Sequence, residues 1–186
     1  MKESYVALRL VQNDKAYPPI ILDRLGEKAP KTLTAIGPVE NLANKKTALF
    51  CSARTPGEAI LRAHDMARRL RDDGKTVISG FHSPIERECL SILLRGRQPI
   101  IICPARAIEK MRIPSEYRPA FEAGRILFLS PFAEKPKRMD RESAQYRNEM
   151  VAALADSVFL AYAQPGGNTE RLLDLIKKWQ VEKIGD

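Results

Sequence analysis

The sequence has few of the residues that build a disulfide or metal framework. Its three cysteines, Cys51, Cys89 and Cys103, are odd in number, lie far apart and include no C-x-x-C pair. We therefore expect neither a disulfide scaffold nor a zinc site, and a reducing, cytoplasmic environment fits this cysteine usage best.

Long apolar runs are also absent. The first residues mix charged side chains among the apolar ones and contain no secretory hydrophobic segment. No later window approaches the ~20 consecutive apolar residues that a membrane-spanning helix needs. We expect a cytoplasmic protein without a membrane partner.

The glycine-rich phosphate motifs are missing too. Neither G-x-G-x-x-G nor G-x-x-x-x-G-K-[ST] occurs, which disfavours ordinary dinucleotide or P-loop binding. Of the two histidines, His64 falls on an amphipathic segment and is expected to be structural. His82 falls in a candidate ligand loop, but it has no evident Ser or Asp partner for catalysis. No catalytic residue is assigned, and the sequence favours a protein that is not an enzyme.

Positive charge is in excess. The 186 residues include 31 Lys and Arg against 23 Asp and Glu, which gives a formal net charge of +8. This balance is typical of proteins that bind polyanions such as nucleic acids, but it also occurs on ordinary basic surfaces. A chain of this length that is 44% hydrophobic is expected to form one compact domain.

Short apolar runs alternate with amphipathic stretches from residue 47 onward. The runs are rich in β-branched or aromatic residues, as expected of strands that are buried on both faces. We predict five strands, near residues 48–51, 75–79, 99–102, 125–129 and 157–162. The intervening stretches predict helices within 56–74, 83–96, 140–155 and 167–183, with a broken segment at 105–123.

This alternation predicts an α/β fold, a Rossmann-like doubly wound parallel sheet of about five strands in the order 3-2-1-4-5. Residues 47–186 would form this domain. Residues 1–46, which contain several prolines and strand-like runs at 4–10 and 31–37, would form a short N-terminal extension packed on the core.

Three loops of this fold are candidates for ligand binding because they follow strands at their carboxyl ends, where open α/β sheets bind ligands. The loops, at 52–57, 79–84 and 164–169, combine small and hydroxyl residues and lead into helix N-termini, which favour anions. We predict one phosphate-binding cleft. Its expected lining is Ser52, Arg54, Ser79, Gly80, Ser83, Gly166, Gly167 and Thr169.

Each loop also has a purely structural interpretation. Ser83, Pro84 and Glu86 have the spacing of a helix capping box, so they could do no more than start a helix. Gly166 and Gly167 could form a tight turn, with Asn168 or Thr169 as a helix cap.

Several short motifs follow one another along the chain. They are Tyr17-Pro18 with Leu22, Pro30 with Leu33 and Gly37, Phe50-Cys51-Ser52-Ala53-Arg54, Gly74-x-x-Val77-Ile78-Ser79-Gly80, and Tyr146-Arg147-Asn148. Together they resemble the DNA-processing protein A (DprA/Smf) family. Its pattern runs Y-P-x-x-L, a strand ending in G-S-R, a strand ending in S-G with G-I-D after it, and F-P-x-R-N-R.

The chain departs from that pattern at several points. G-I-D corresponds to Pro84-Ile85-Glu86, and the second arginine of R-N-R is replaced by Glu149. The segment from Arg147 to Glu170 is also similar to the signature of the lysine-decarboxylase-like (LOG) nucleotide-handling proteins. That signature's third glycine and correctly spaced glutamate are missing here.

The resemblance implies a non-enzymatic protein that binds single-stranded DNA, or a nucleotide, at the carboxyl ends of the strands. It implies no metal or redox cofactor, and it adds a homodimer and a recombinase partner as further expectations. In this hypothesis, Arg54, the Arg147-Asn148 pair and the loop 135–141 contact phosphates, and backbone groups of 79–83 donate to them.

Two residues of that hypothesis have alternative roles. Phe81 could stack on a base or belong to the core. Arg147 could bind a phosphate or pair internally with Glu149, Asp156 or Glu86.

Two other functions fit the sequence. A nucleotide sensor or a LOG-like nucleoside-phosphate enzyme would use Glu86 or Glu170 as its acid–base group. A structural or partner-binding role is also open, because a fold does not determine a function.

Overall fold

One mixed sheet of eight strands forms the centre of the molecule. The computed structural model describes residues 5–133 and 140–185. The strands in this part of the chain are β1 (Leu8–Val11), β2 (Thr32–Ile36), β3 (Lys46–Phe50), β4 (Thr76–Ser79), β5 (Ile100–Ile102), β6 (Ile126–Ser130), β7 (Ser157–Leu160) and β8 (Glu182–Ile184).

Helices connect most of these strands. They are α1 (Pro19–Leu25), α2 (Gly57–Asp72), α3 (Pro84–Leu94), α4 (Arg118–Glu122), α5 (Arg141–Leu154) and α6 (Asn168–Lys178). Short 3-10 turns occupy residues 26–28, 39–43 and 115–117. The predicted helices at 56–74, 83–96 and 140–155 are therefore present, and the broken segment contains only a 3-10 turn and the short α4.

The strand order across the sheet is β1-β2-β6-β5-β4-β3-β7-β8. The pairs β1–β2 and β2–β6 are antiparallel, and all the others are parallel. The predicted α/β fold with a Rossmann-like parallel sheet is confirmed.

The predicted order of the strands was wrong. The five predicted strands are β3 to β7, and their order is 4-3-2-1-5 rather than 3-2-1-4-5. After β5 the chain keeps the same direction across the sheet, so β6 pairs with β5 on the side away from β4. Only the crossover through α5 reverses direction and places β7 beside β3. The topological switch point, where the strand order reverses, therefore lies between β3 and β7.

The sheet is wider than predicted because three strands add to its edges. Both strand-like runs of the N-terminal extension contribute, since β2 pairs with β6 and β1 pairs with β2. Whether residues 1–46 are best treated as an extension of a domain at 47–186 stays a prediction.

The predicted helix 167–183 is shorter than expected. After Lys178, Gln180 adopts a left-handed φ of 54°, and Val181 N–H donates to the carbonyl oxygen of Ile176 at 3.0 Å. This is a Schellman ending, which terminates a helix and redirects the chain. The following residues extend along β7 as β8.

Two apolar layers cover the sheet. On one face, α1, α5 and α6 pack around Ile21, Met150 and Leu172. On the other, α2, α3 and α4 pack around Ala63, Leu90 and Ala120. Within residues 5–133 and 140–185, no helix has the length and apolar composition to cross a bilayer.

A candidate ligand cleft at the switch point

An open cleft of about 480 Å³ lies at the carboxyl ends of β3, β4 and β7. The loops after β3 and β7 enter helices on opposite faces of the sheet, which is the arrangement that opens a crevice at a switch point. The residues that line the cleft are Cys51, Ser52, Ala53, His82, Ser83, Glu86, Arg141, Ala144, Arg147, Asn148, Gln164, Pro165, Gly166, Gly167 and Thr169.

Ser52 holds the loop after β3 against the loop after β7. Its Oγ lies 2.9 Å from the carbonyl oxygen of Tyr162 and 3.2 Å from Thr169 Oγ1. It also accepts a hydrogen bond of 3.1 Å from the backbone N–H of Gln164. A hydroxyl that is 6% exposed and bonds across a cleft sets the distance between the cleft's walls.

Glu86 holds the loop after β3 against the loop after β4. Its Oε1 accepts from Cys51 N–H at 3.1 Å, and its Oε2 accepts from His82 N–H at 2.9 Å and Ser83 N–H at 3.1 Å. Ser83 Oγ in turn accepts from Glu86 N–H at 3.2 Å. The predicted capping box is confirmed.

The capping box corrects the expected source of phosphate donors. His82 and Ser83 already donate their N–H groups to Glu86, and Phe81 N–H donates to Ser79 Oγ at 3.2 Å. The carboxylate also places a negative charge at the N-terminus of α3, where it satisfies the helix dipole. The N–H groups of Phe81, His82 and Ser83 are therefore occupied by the protein's own groups.

Phe81 belongs to the core rather than to the cleft surface. Its φ of 46° is left-handed, and its side chain is only 5% exposed within the layer of α2, α3 and α4. A ring in that position offers no face to a base, so the structure contradicts the stacking role. Ser79 beside it is fully buried.

Arg147 reaches under the cleft instead of into solvent. Its side chain is 3% exposed; Nε donates to Asn148 Oδ1 at 2.7 Å and Nη1 donates to the carbonyl oxygen of Cys103 at 2.8 Å. Burial lowers the pKa of Arg147 from its usual value, and the negative charge of Glu86 offsets part of that shift. Arg147 forms no ion pair with Glu86, Glu149 or Asp156.

Gly80 makes room for this arginine. A Cβ at residue 80 would collide with Nη1 and Cζ of Arg147 and would lie 2.7 Å from Nη2. The guanidinium therefore rests directly on the backbone at the end of β4. Gly80, Arg147 and Cys103 form the floor of the cleft. Nε and Nη1 of Arg147 donate to the protein itself, whereas Nη2 has no acceptor among the described residues, so the role of Arg147 as a phosphate contact stays a prediction.

The loop at 164–167 and the start of α6 form the opposite wall. Gly166 has a left-handed φ of 70°, its N–H donates to Glu170 Oε2 at 2.7 Å, and its carbonyl oxygen accepts from Arg141 at 3.3 Å. The N-cap of α6 is Gly167, not Asn168 or Thr169, and it supplies no side-chain cap. A helix that starts in this way offers backbone N–H groups to an anion.

The structure separates the predicted site residues into two groups. The predicted residues that line the cleft are Ser52, Ser83, Arg147, Asn148, Gly166, Gly167 and Thr169. The other four do not line it: Arg54 is exposed outside it, and Ser79, Gly80 and Phe81 lie beneath it. Residues 134–139, most of the predicted phosphate-contacting loop, lie outside the described residues.

Arg141 was predicted only as the last residue of the phosphate-contacting loop 135–141. It is the first residue of α5, directly after the N-cap Asp140, whose carboxylate accepts from Ser143 N–H at 2.7 Å. The D-R-E-S spacing of a capping box indicates that a helix starts here. This helix follows β6, a strand parallel to β5, so its first residue lies at the same end of the sheet as the cleft. For metal binding, no group of three or more His, Cys, Asp or Glu gathers anywhere in the two described ranges.

Comparison with known proteins identifies the family. The family model of DNA recombination-mediator protein A matches residues 9–169. DNA processing protein A from Helicobacter pylori, described for its single-stranded DNA binding mode, is 23% identical with a TM-score of 0.72, over 98% of this chain and 81% of that one. DNA processing protein A from Streptococcus pneumoniae is 14% identical with a TM-score of 0.71, over 100% and 72%.

No curated protein matches the chain. The two structures share its fold, and the family match spans most of its length, from β1 to the start of α6. The resemblance seen in the motifs is confirmed, and the chain belongs to the DNA recombination-mediator protein A family.

Proposed function

We propose that this protein binds single-stranded DNA in the cleft at the switch point, without catalysing a reaction. The observation that carries the proposal is the cleft itself, an opening of about 480 Å³ that has Arg141 and the start of α6 on its walls. Family membership and the net charge of +8 support the same partner. The H. pylori relative, described for single-stranded DNA binding, supports it by analogy.

We propose that Arg141, His82 and Thr169 supply the phosphate contacts; of these, Thr169 and the loop that ends at Arg141 were expected from the sequence. Arg141 presents a permanently charged guanidinium at the cleft, which suits phosphate recognition. The exposed side chain of His82 and the hydroxyl of Thr169 line the same opening. In this proposal, Ser52, Glu86 and Arg147 hold in place the loops that carry these groups.

Titration of a fluorescent oligothymidylate by anisotropy tests this proposal. Arg141→Ser should weaken binding about tenfold or more, because a hydrogen bond to a charged group contributes about 1.5–3 kcal/mol. It should also flatten the dependence of log K on log[salt] by about 0.7 per lost contact. Arg95→Ser is a matched control, since it removes an exposed arginine at the C-terminal end of α3.

An equal effect of both substitutions would show that only the net charge matters, and the cleft would lose its role. A lowered thermal midpoint of Arg141→Ser with unchanged affinity would assign Arg141 to the scaffold. The residue is exposed, so its removal is expected to leave the fold intact.

The nucleotide-sensor or LOG-like enzyme remains a separate hypothesis. Glu86 uses both carboxylate oxygens for three backbone N–H groups, which makes it a poor acid–base group. Glu170 accepts from Gly166 N–H and is exposed. Release of free base from nucleoside monophosphates, lost in Glu170→Gln, would establish the enzyme and overturn the non-enzymatic proposal.

The homodimer and the recombinase partner remain predictions of the resemblance. Sedimentation velocity over a range of concentrations tests the first. Co-sedimentation with a recombinase filament on single-stranded DNA tests the second.

A further inference from the structure

The loop after β5 carries a basic surface that adjoins the cleft. This loop, residues 103–114, leaves the sheet at the same end as the cleft because β5 is parallel to β4. It begins at the cleft floor, where the carbonyl oxygen of Cys103 accepts from Arg147 at 2.8 Å.

From that point the loop runs away from the cleft across the ends of the neighbouring strands. The carbonyl oxygen of Arg106 accepts from Ser130 Oγ at the end of β6, at 2.6 Å. Glu109 Oε1 lies 3.3 Å from Oγ1 of Thr34, which is paired with Ser130 across β2 and β6. Because neighbouring strands lie ~4.8 Å apart, the loop extends about 10 Å beyond β5.

Burial alternates along the loop so that its cations face outward. Ile108 and Ile113 are buried and anchor it to the core, whereas Arg106, Lys110 and Arg112 are exposed. We call these three cations the basic rim. The single acid among them, Glu109, is engaged by Arg9 at 3.8 Å as well as by Thr34.

No ion pair to another described residue neutralises the basic rim. Some other surface arginines do have such partners, as Arg68 pairs with Asp65 and Arg71 with Asp72. Three neighbouring cations without acidic partners repel one another and attract a polyanion. Their continuity with the cleft floor indicates a polyanion that also occupies the cleft.

We propose that a single DNA strand held in the cleft continues over the basic rim, so that the binding site extends across the ends of β5, β6 and β2. This inference rests on the proposed function and adds the direction of the strand. At about 3.4 Å per nucleotide of a stacked strand, a 10 Å track accommodates about three nucleotides. The basic rim therefore contributes only when the oligonucleotide is longer than the cleft.

A length series separates the basic rim from the cleft. Anisotropy titrations would use oligothymidylates of about three nucleotides, which the ~10 Å across the ends of β4, β3 and β7 accommodates, and of about twenty, beyond the site sizes of single-stranded DNA modules. The rim variant replaces Arg106, Lys110 and Arg112 with serine. The control variant replaces Lys45, Arg95 and Arg97 with serine, which removes the same charge from exposed positions at the opposite end of the sheet.

We expect the rim variant to lose about tenfold or more in affinity for the long oligonucleotide, and its salt slope to fall by about 2, which is 0.7 for each of three contacts. Its affinity for the short oligonucleotide should stay within about twofold of the wild type, apart from the small general effect that the control variant measures. All six substituted residues are exposed, so the thermal midpoints should be unchanged.

Equal losses in the rim and control variants would overturn the inference, because net charge alone would explain them. So would equal losses for short and long oligonucleotides in the rim variant, which would place the basic rim inside the primary site. If the wild type binds the short oligonucleotide and the rim variant keeps full affinity for the long one, only the basic rim is refuted. If the wild type binds neither oligonucleotide, both the proposed function and the inference about the basic rim are refuted.

Discussion

Gly80→Ala is the substitution that most directly tests the construction of the cleft floor. The backbone at Gly80 is outside the left-handed region, so alanine adds no conformational strain. Its methyl group would occupy the space of the Arg147 guanidinium. The arginine must then leave its place, and its hydrogen bonds to Cys103 and Asn148 break.

The cost follows from what the displaced arginine leaves behind. Each hydrogen bond from a charged group contributes about 1.5–3 kcal/mol, and Gly80→Ala breaks two of them. We therefore expect Gly80→Ala to lower the free energy of unfolding by about 3–5 kcal/mol. Arg147→Ala should cost about the same.

A double-mutant cycle in urea isolates the contact. With Arg147→Ala already present, Gly80→Ala has nothing left to displace and should change the free energy of unfolding by less than about 1 kcal/mol. The coupling between the two positions would then be about 2–4 kcal/mol. Additive effects, or a cost below about 1 kcal/mol for Gly80→Ala alone, would refute the floor described above.

Three further predictions concern other parts of the molecule. Glu86→Gln should lower the free energy of unfolding by about 2–4 kcal/mol in urea titrations, because an amide cannot accept from all three backbone N–H groups. Ser52→Ala should cost about 1–2 kcal/mol in the same titrations and weaken oligonucleotide binding, since the bond to the Tyr162 carbonyl oxygen is lost. Burial raises the pKa of Tyr17 from 10.0 to about 12, and its hydroxyl donates to the Pro30 carbonyl oxygen at 2.6 Å. The resulting stabilisation is complete below pH 10 and is lost as the pH rises towards 12, so Tyr17→Phe should flatten the fall in thermal midpoint across that interval.

Local sequence signals predicted much of the fold. The apolar runs located β3 to β7, and the S-P-x-E spacing predicted the start of α3 because capping is a contact between near neighbours. The strand order was beyond such signals. Whether the chain after β5 returns beside β3 or continues outward depends on packing across the whole sheet, and no residue in 105–123 decides it.

Local sequence signals also did not determine which side chains of the site face the ligand. Phe81 and Arg147 have the residue types of a DNA-binding surface, yet Phe81 is buried in the core, and Arg147, which lines the cleft, donates from Nε and Nη1 to the protein itself. Phe81 is turned inward by its own backbone conformation, and Arg147 is drawn inward by the Cys103 carbonyl oxygen, 44 residues away in the sequence. Arg141 was predicted only as part of the loop 135–141, because its place opposite the start of α6 depends on the tertiary arrangement of two crossovers.

The placement of the cleft between the two helix layers has a consequence for how the protein opens. One wall leads into α2 and the other into α6, and α6 and β8 are the last elements that the structure describes. Elements at the edge of a fold commonly detach as a cooperative unit while the remainder stays native. Detachment of α6 and β8 would remove one wall of the cleft, so an oligonucleotide spanning both walls favours the closed form. Amide hydrogen exchange in α6 should therefore slow on DNA binding.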